Sequence, residues 1–281
     1  VKQYHPNRFS LSKLKQVEVT LQIQDILHNQ GIHCPKPLSL KGKYLCRTIS
    51  GVHFVCMEHS KGTLVSPGAL NNSQLYHLGK TTGYMHKLLR KIPPSKLYWK
   101  PTYQNMEEKW DNQWINAQLN HRSDRVYHAL QKQQEILSKI DFNCFDSCTP
   151  GWTHWDLWMD NLLFDTNQVA AILDFDRMRY VFPELDVSRV LLSGAYSLEK
   201  GMNWQGISHF LTGYNEFLPF TSDNLAKAFQ LTWCQESPWW ITHDIEERDE
   251  NPKRFFEEIC WISENWNHLE EITRSQVEVL K

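Results

Sequence analysis

The segment that determines how this chain folds reads Thr153-His154-Trp155-Asp156-Leu157-Trp158-Met159-Asp160-Asn161-Leu162-Leu163-Phe164. It contains the pattern His-x-Asp-x-x-x-x-Asn and ends in an apolar stretch that predicts a strand. A second apolar stretch, residues 169–173, predicts another strand, and Asp174 follows it directly, thirteen residues after Asn161. The order of loop, strand, strand and carboxylate therefore places polar side chains on neighbouring strand ends.

Three side chains of this region are of the types that phosphoryl transfer from ATP requires. The reaction needs a base beside the acceptor hydroxyl and oxygen ligands that hold Mg²⁺ against the phosphates. Since Mg²⁺ prefers hard oxygens and keeps several waters, one Asn and one Asp suffice beside a nucleotide. We predict Asp156 as the catalytic base and Asn161 and Asp174 as metal ligands. The alternative, loop-capping polar residues beside a hairpin, leaves their joint spacing and order unexplained.

Outside this region, the chain divides into a β-rich beginning and a helical remainder. The first part is predicted to contain one helix and three strands, at residues 12–29 and at Val1–Tyr4, Lys43–Arg47 and Val52–His59. The second part is predicted to contain long helices, at residues 72–89, at residues 110–140 and from residue 186 onward. Because a loop near residues 60–70 separates the two kinds of pattern, we predict an α+β fold with two lobes, residues 1–62 and 63–281.

The composition restricts the classes of protein to which the chain can belong. Its 281 residues carry a formal net charge of -2, which gives no reason to expect nucleic acid or an acidic membrane as partner. No segment approaches the roughly 18 consecutive apolar residues of a membrane span, and the start lacks the apolar run of a signal peptide. The seven cysteines are scattered without a Cys-x-x-Cys pair, which favours reduced thiols. We expect a soluble, cytoplasmic protein.

Residues 152–176 resemble the catalytic core of the aminoglycoside phosphotransferase and choline kinase family, whose members are related to the protein kinases. Residues 183–187, Pro-Glu-Leu-Asp-Val, are similar to the family's Pro-x-x-Asp-Leu turn. The spore-coat-kinase-like branch is one placement within the family. The resemblance implies a two-lobed, protein-kinase-like fold with a small β-rich N-terminal lobe and a larger helical C-terminal lobe. It also implies that His154 bonds the loop backbone and that Asp186 binds loop amides near the catalytic turn.

The resemblance further implies a nucleotide site in the first lobe. Lys2 resembles the strand lysine that holds the α- and β-phosphates, and Glu18 is the candidate for its ion-pair partner. The segment around Met57, Glu58 and His59 resembles the hinge strand, whose backbone N–H and C=O groups pair with adenine. These residues are therefore predicted to bind ATP, which acts together with Mg²⁺.

Two departures from the family pattern affect these predictions. The glycine-rich loop over the phosphates should precede Lys2, so we expect either that the chain is truncated or that its start was assigned late. Trp155 stands where protein kinases have Arg before the catalytic Asp, and Pro183 and Asp186 follow Asp174 without a long activation segment. Both facts favour a small-molecule kinase over a protein kinase.

The acceptor is predicted to be a hydroxyl of a small molecule, aminoglycoside-, choline- or homoserine-like. Trp155 and Trp158 flank the predicted base, and Trp239-Trp240 occur later; aromatic faces attract ammonium groups, which indicates a cationic acceptor. The charged run at residues 243–250 could steer such an acceptor. The alternatives are core packing for the tryptophans and a solvated helix face for the charged run.

A second function stays open at this point. The chain could be a degenerate, non-catalytic relative with a structural or binding role, such as a spore-coat component. A scaffold has no need for Asp156, Asn161 and Asp174 together, which argues against this alternative. No pattern in the sequence assigns an oligomeric state.

Overall fold

The computed structural model describes residues 1–278, so the last three residues of the predicted second lobe lie outside it. The strands are β1 (Lys2–Tyr4), β2 (Cys46–Arg47), β3 (His53–Val55), β4 (Gly151–Thr153), β5 (Leu162–Asp165), β6 (Gln168–Ile172), β7 (Arg179–Val181), β8 (Tyr196–Ser197) and β9 (Gly201–Met202). The α-helices are α1 (Leu11–Asn29), α2 (Asn72–Leu89), α3 (Tyr103–Leu119), α4 (Asp124–Leu137), α5 (Glu184–Ala195), α6 (Trp204–Asn215), α7 (Ser222–Trp240), α8 (Glu250–Asn265) and α9 (Leu269–Glu278). Within the described residues, no helix is long and apolar enough to cross a membrane.

The beginning of the chain forms a small sheet with one helix against it. The strands pair antiparallel in the order β1-β3-β2, and Lys2 stands opposite Val55. A separate apolar cluster joins the strands to α1; its buried members are Tyr4, Leu14, Val17, Leu21 and Val55. The three strands and the helix predicted for this part are therefore present.

The larger core lies mostly in the chain after residue 70, and it also includes Ile23 and Leu27 from the end of α1. Helices α2 and α6 approach each other through glycines: a Cβ atom on Gly79 would lie 1.9 Å from the carbonyl oxygen of Phe210. A Cβ atom on Gly213 would lie 2.2 Å from the carbonyl oxygen of Tyr76 on the other helix. Only residues without a Cβ atom permit this contact, so the pair forms a tightly packed base for the site.

Two antiparallel strand pairs pack against these helices and position the residues of the site. Strands β5 and β6 are antiparallel, with Leu162 opposite Ile172, so the residue before β5 and the residues after β6 meet at one end. Strands β4 and β7 are antiparallel as well, with Thr153 opposite Arg179. The loop between β4 and β5 and the segment between β6 and β7 therefore lie side by side.

Some element boundaries differ from the prediction. The single helix predicted over residues 110–140 is wrong, because α3 and α4 are separate helices. His121 between them has a left-handed backbone with φ of 49°, and the side chain of Ser123 caps α4 by accepting a hydrogen bond from the N–H of Val126. The strand predicted over Val52–His59 is shorter, and beyond β3 it continues only as an isolated bridge between Met57 and Pro37.

Candidate active site

The loop after β4 is held in place by a buried carboxylate from α5. Asp186 accepts hydrogen bonds from the backbone N–H groups of His154, at 2.6 Å, and Trp155, at 2.9 Å. Burial by itself raises the pKa of the Asp186 carboxyl, but the contact with His86 and the bond from His154 bring that pKa below its usual value. His154 Nε2 lies 2.7 Å from the carbonyl oxygen of Leu173. The backbone-binding roles implied for His154 and Asp186 are confirmed by these contacts.

Asp156 and Asn161 lie at the two ends of this loop and contact each other. The amide nitrogen of Asn161 donates to the carbonyl oxygen of Asp156 at 2.7 Å and lies 3.2 Å from its Oδ2 atom. The other carboxylate oxygen of Asp156 lies 3.1 Å from Nη1 of Arg177. The Asp156 side chain keeps 16% of its surface exposed, which leaves room for a small hydroxyl to approach.

Asp174 follows β6 in a left-handed backbone conformation, with φ of 63°, and its side chain is 43% exposed. Lys2 Nζ forms ion pairs with Asp174 and with Asp176, the latter at 3.0 Å. Burial lowers the pKa of Lys2, but the nearby Asp176 and Asp174 outweigh it and raise that pKa above its usual value. The structure thus brings the predicted phosphate-binding lysine to the predicted metal ligand.

The atoms that Asn161 and Asp174 present are suited to Mg²⁺. Since the amide nitrogen of Asn161 makes both of its contacts with Asp156, its amide oxygen is left to face a cation. Asp174 supplies an exposed carboxylate. Nowhere in residues 1–278 do three His, Cys, Asp or Glu side chains converge as a metal site. Two oxygen donors without a full protein cage are what Mg²⁺ uses beside a nucleotide.

The predicted ion pair between Lys2 and Glu18 is wrong. Both carboxylate oxygens of Glu18 accept backbone hydrogen bonds, from the N–H of Tyr44 at 3.0 Å and from the N–H of Leu45 at 2.8 Å. These bonds satisfy the carboxylate on the chain before β2, while Lys2 is committed to Asp174 and Asp176. Glu18 therefore orders the small lobe and does not contact the lysine.

The segment predicted as the hinge forms backbone hydrogen bonds with residues 36–38 along one of its two edges. The N–H of Glu58 donates to the carbonyl of Lys36, and the carbonyl of Cys56 accepts from the N–H of Leu38, each at 2.9 Å. Because backbone groups alternate along an extended strand, the N–H and C=O of Met57 face the opposite side. His59 follows without regular structure. The geometry is compatible with adenine pairing at Met57.

A cavity of about 600 Å³ opens beside Asp156. Its lining includes the predicted residues Asp156, Asn161, Trp155, Trp158, Trp239 and Trp240. Prediction missed four charged residues of the lining, which come from three helices and the segment after β6: Lys109, Arg177, Arg189 and Glu236. A larger cavity, of about 1050 Å³ around His28 and His33, contains none of the predicted site residues.

Cationic side chains of the protein already lie against aromatic rings of the cavity. The guanidinium of Arg189 lies 4.6 Å from the ring centroid of Trp155 and 5.7 Å from that of Trp158. Lys109 Nζ lies 4.4 Å from the ring centroid of Trp239, whose surface is 56% exposed. Trp239 is therefore not packed in the core.

The charged run at residues 243–250 contacts protein groups away from the cavity. Asp244 pairs with Arg248, Glu247 pairs with Arg122, and Glu246 accepts from the hydroxyl of Ser123. None of the cavity-lining residues belongs to this run. These ion pairs argue against steering of an acceptor, and the run forms a turn with the short 3-10 helix Ile245–Glu247 in place of the expected helix face.

The arrangement of Asp156, Asn161 and Asp174 agrees with what the sequence as a whole resembles. The profile of the Phosphotransferase enzyme family (APH) matches residues 1–208, which is most of the chain. The chain belongs to this family. The predicted family placement is thereby confirmed, and Asp156, Asn161, Asp174 and Lys2 all lie within the matched residues.

Curated relatives of this phosphotransferase include the homoserine kinases of Rhodopseudomonas palustris (strain BisA53) and Rhizobium meliloti (strain 1021). Each is 25% identical, over 235 and 230 residues, which cover 77% of this chain. The chain spans about two thirds of the length of these relatives, 67% and 66%.

Solved structures share the fold of this phosphotransferase at low sequence identity. An amicoumacin kinase gives a TM-score of 0.59 at 19% identity, covering 97% of this chain and 81% of that one. An aminoglycoside phosphotransferase from Alicyclobacillus acidocaldarius gives 0.61 at 18% identity, covering 94% and 84%. A microcompartment-associated aminopropanol kinase gives 0.59 at 13% identity, covering 99% and 87%. The predicted two-lobed, protein-kinase-like fold is confirmed by these structures.

Proposed function

We propose that this chain transfers the γ-phosphoryl group of ATP to a hydroxyl of a small molecule in an Mg²⁺-dependent reaction. The observation that carries the proposal is the position of Asp156. Its carboxylate lines a cavity of about 600 Å³ and contacts Asn161, the neighbour proposed to bind metal. Family membership supports phosphoryl transfer, and the size of the cavity suits a small acceptor better than a protein segment.

Each proposed role follows from a contact of the side chain. Asp156 would accept the proton of the acceptor hydroxyl, whose oxygen attacks the γ-phosphorus while the bond to the β–γ bridging oxygen breaks and ADP leaves. Asn161 keeps the carboxylate oriented through its amide nitrogen, and its oxygen and the Asp174 carboxylate would hold Mg²⁺. When bound, Mg²⁺ would neutralise charge on the phosphates. Lys2 would bind the α- and β-phosphates.

The nucleotide is proposed to lie between the lobe of residues 1–62 and the remaining chain. Lys2 already reaches across this boundary to Asp174 and Asp176. The free backbone edge at Met57 lies next to Glu58 and His59, at the junction of the two parts. These contacts support an adenine position at the hinge and phosphates at Lys2.

We propose an acceptor that carries an amino group beside its hydroxyl. The support comes from the acceptors named for the relatives, since homoserine, aminoglycosides and aminopropanol all carry one. The tryptophan faces add little support, because Arg189 and Lys109 already cover them. Asp160, an exposed carboxylate of the cavity lining, can still attract an ammonium group.

The test is phosphoryl transfer by the purified full-length protein with Mg-ATP and a panel of hydroxylated amines. The panel contains homoserine, aminopropanol and an aminoglycoside, and the phosphorylated product is identified by mass spectrometry. Asp156→Asn is expected to lower kcat by about 100-fold or more, because the neutral amide cannot take the proton. Asp165→Asn, which changes an exposed carboxylate at the far end of β5, serves as the matched control.

Two results would contradict the proposal. An Asp156→Asn variant with the kcat of the control would show that another group acts as base. A wild-type protein that neither binds Mg-ATP in calorimetry nor phosphorylates any acceptor would favour the non-catalytic alternative.

A further inference from the structure

The residue before the proposed base has an unusual backbone conformation. Trp155 has φ of 67°, in the left-handed region that non-glycine residues rarely adopt. Left to itself, a tryptophan here favours a backbone that would turn the following peptide, and with it Asp156, in another direction. Something in the surrounding structure must therefore hold Trp155 in this conformation.

Helix α5 contacts Trp155 on both sides of its Cα atom. Asp186 accepts from the backbone N–H of Trp155 at 2.9 Å, and Arg189 donates through Nη1 to the backbone carbonyl of Trp155. Asp186 and Arg189 are three residues apart and so share one face of the helix. Since the carbonyl of Trp155 belongs to the peptide that leads into Asp156, Arg189 determines the orientation of the base more directly than Asp186 does.

The guanidinium of Arg189 is itself fixed from a second helix. Its Nη2 atom forms an ion pair with Glu236 of α7, and the two side chains are only 3% and 8% exposed. The other carboxylate oxygen of Glu236 lies 2.7 Å from Nε1 of Trp240. The rings of Trp155 and Trp158 cover the guanidinium. Water therefore has little access to the contact between Arg189 and the Trp155 carbonyl.

Stability alone does not account for this pair. The Nε–H group of Arg189 is buried without a hydrogen-bond partner, and a buried ion pair is often no more stable than apolar residues of similar volume. An imperfectly satisfied guanidinium at this position is therefore a poor choice for packing. It is a good choice for a donor that must reach a particular carbonyl.

We propose that Arg189, held by Glu236, is a positioning residue that maintains the left-handed backbone of Trp155 and thereby directs the Asp156 carboxylate into the acceptor cavity. The proposal rests on the proposed kinase function. It assigns α5 and α7 a part in catalysis although neither carries the base or a metal ligand. Arg189 and Glu236 also line the cavity, so an acceptor bound there would contact the groups that orient its base.

The test uses glycine to remove the need for the positioning contact. Arg189→Met is expected to lower kcat by about tenfold or more, because the backbone of Trp155 relaxes. Glycine adopts positive φ without cost, whereas alanine does not, and both remove the indole ring. We compare Arg189→Met combined with Trp155→Gly against Arg189→Met combined with Trp155→Ala. The glycine double variant is expected to have a kcat at least about fivefold higher than the alanine double variant.

The same comparison without the Arg189 change is the control. In that background, Trp155→Gly and Trp155→Ala are expected to differ by less than about twofold in kcat, because Arg189 still holds the backbone. Circular dichroism and Tm accompany each variant. Arg189→Lys serves if Arg189→Met does not fold, since lysine keeps the charge but cannot donate to Trp155 and Glu236 through one planar group.

The outcomes separate this proposal from the proposed function. Equal kcat in the two double variants, or an Arg189→Met variant with a lower Tm but wild-type kcat, would overturn the positioning role while leaving the kinase intact. A wild-type protein without turnover would overturn the kinase function and this proposal with it.

Discussion

Lys2 Nζ lies 3.0 Å from Oδ1 of Asp176 and also forms an ion pair with Asp174, although 172 residues of chain separate Lys2 from Asp174. The contact joins the first strand of the small sheet to the segment after β6. It places an ammonium group where ATP phosphates and Mg²⁺ would meet in the proposed reaction. The charge of this ammonium group is retained at neutral pH, since the two carboxylates raise the pKa of Lys2 despite its burial.

Replacement of Lys2 by Met is expected to raise KM for ATP by about tenfold or more. The variant loses a charge-assisted contact to phosphate, and Asp174 and Asp176 are left as neighbouring negative charges. Lys15→Met, on the exposed side of α1, is the control and is expected to leave KM for ATP unchanged. Steady-state kinetics with ATP varied at saturating acceptor make the comparison. An unchanged KM for Lys2→Met would contradict phosphate binding by this residue.

Asn161→Ala and Asp174→Asn are expected to raise the Mg²⁺ concentration needed for half-maximal activity. Each variant removes one hard oxygen ligand, and a fall in kcat of about 100-fold is expected for Asp174→Asn because the carboxylate charge is also lost. The measurement is an Mg²⁺ titration at fixed ATP, after correction for Mg²⁺ bound by free nucleotide. A half-maximal concentration equal to that of the wild-type protein in both variants would refute the ligand assignment.

Lys109→Met tests the charge of the acceptor. The change removes a cation that lies on the exposed ring of Trp239, and burial already lowers the pKa of this lysine. For an acceptor with an ammonium group, KM is expected to fall by about two- to fivefold, because the ring face opens and a like charge disappears. A neutral alcohol with the same hydroxyl is the control. A rise in KM for the amine would instead indicate that Lys109 binds an anionic group of the acceptor.

Glu258→Gln is expected to flatten the dependence of stability on pH. Burial of Glu258 raises its pKa to about 8, and the neighbouring Glu236 and Asp160 act in the same direction, while Arg254 opposes them. The folded protein therefore binds a proton that the unfolded chain has released above its ordinary pKa of 4.5. Consequently the free energy of unfolding falls as pH rises from 4.5 towards 8, by up to about 5 kcal/mol.

Urea unfolding between pH 5 and about 8 measures this dependence. In Glu258→Gln the contribution of this group to the slope disappears, since glutamine does not titrate. The exposed Glu270→Gln on α9 is the control and should keep the slope of the wild-type protein. The same slope in wild-type protein and Glu258→Gln would show that Glu258 is ionised in the folded state.

The loop that carries Asp156 and the hairpin that follows it could be predicted because their determinants are local. The apolar stretches around residues 162–164 and 169–173 encode the strands, and the polar residues at their ends are close in sequence. The contacts of Asp186 were implied by the resemblance to the family and not by a local pattern. Short separations in sequence leave few alternative arrangements.

Other parts of the site depend on contacts that no local pattern encodes. The partner of Lys2 was predicted on the nearest helix, as Glu18, but the actual partners, Asp174 and Asp176, follow β6 far along the chain. The cations Lys109 and Arg189 enter the cavity from helices whose exposed and buried faces are set by tertiary packing. The break between α3 and α4 was encoded locally, by the capping residue Ser123, but the polar composition on both sides masked it.

Helix α5 is buried from Leu185 to Ala195, and it carries both residues that form hydrogen bonds with the backbone of Trp155. A loop bound to such a helix cannot unfold locally, because breaking its hydrogen bonds requires solvent to reach the interior of the larger lobe. Thermal inactivation of the enzyme would then coincide with cooperative unfolding. The amide hydrogens of residues 154 and 155 would then exchange with deuterium as slowly as the amide hydrogens of the core.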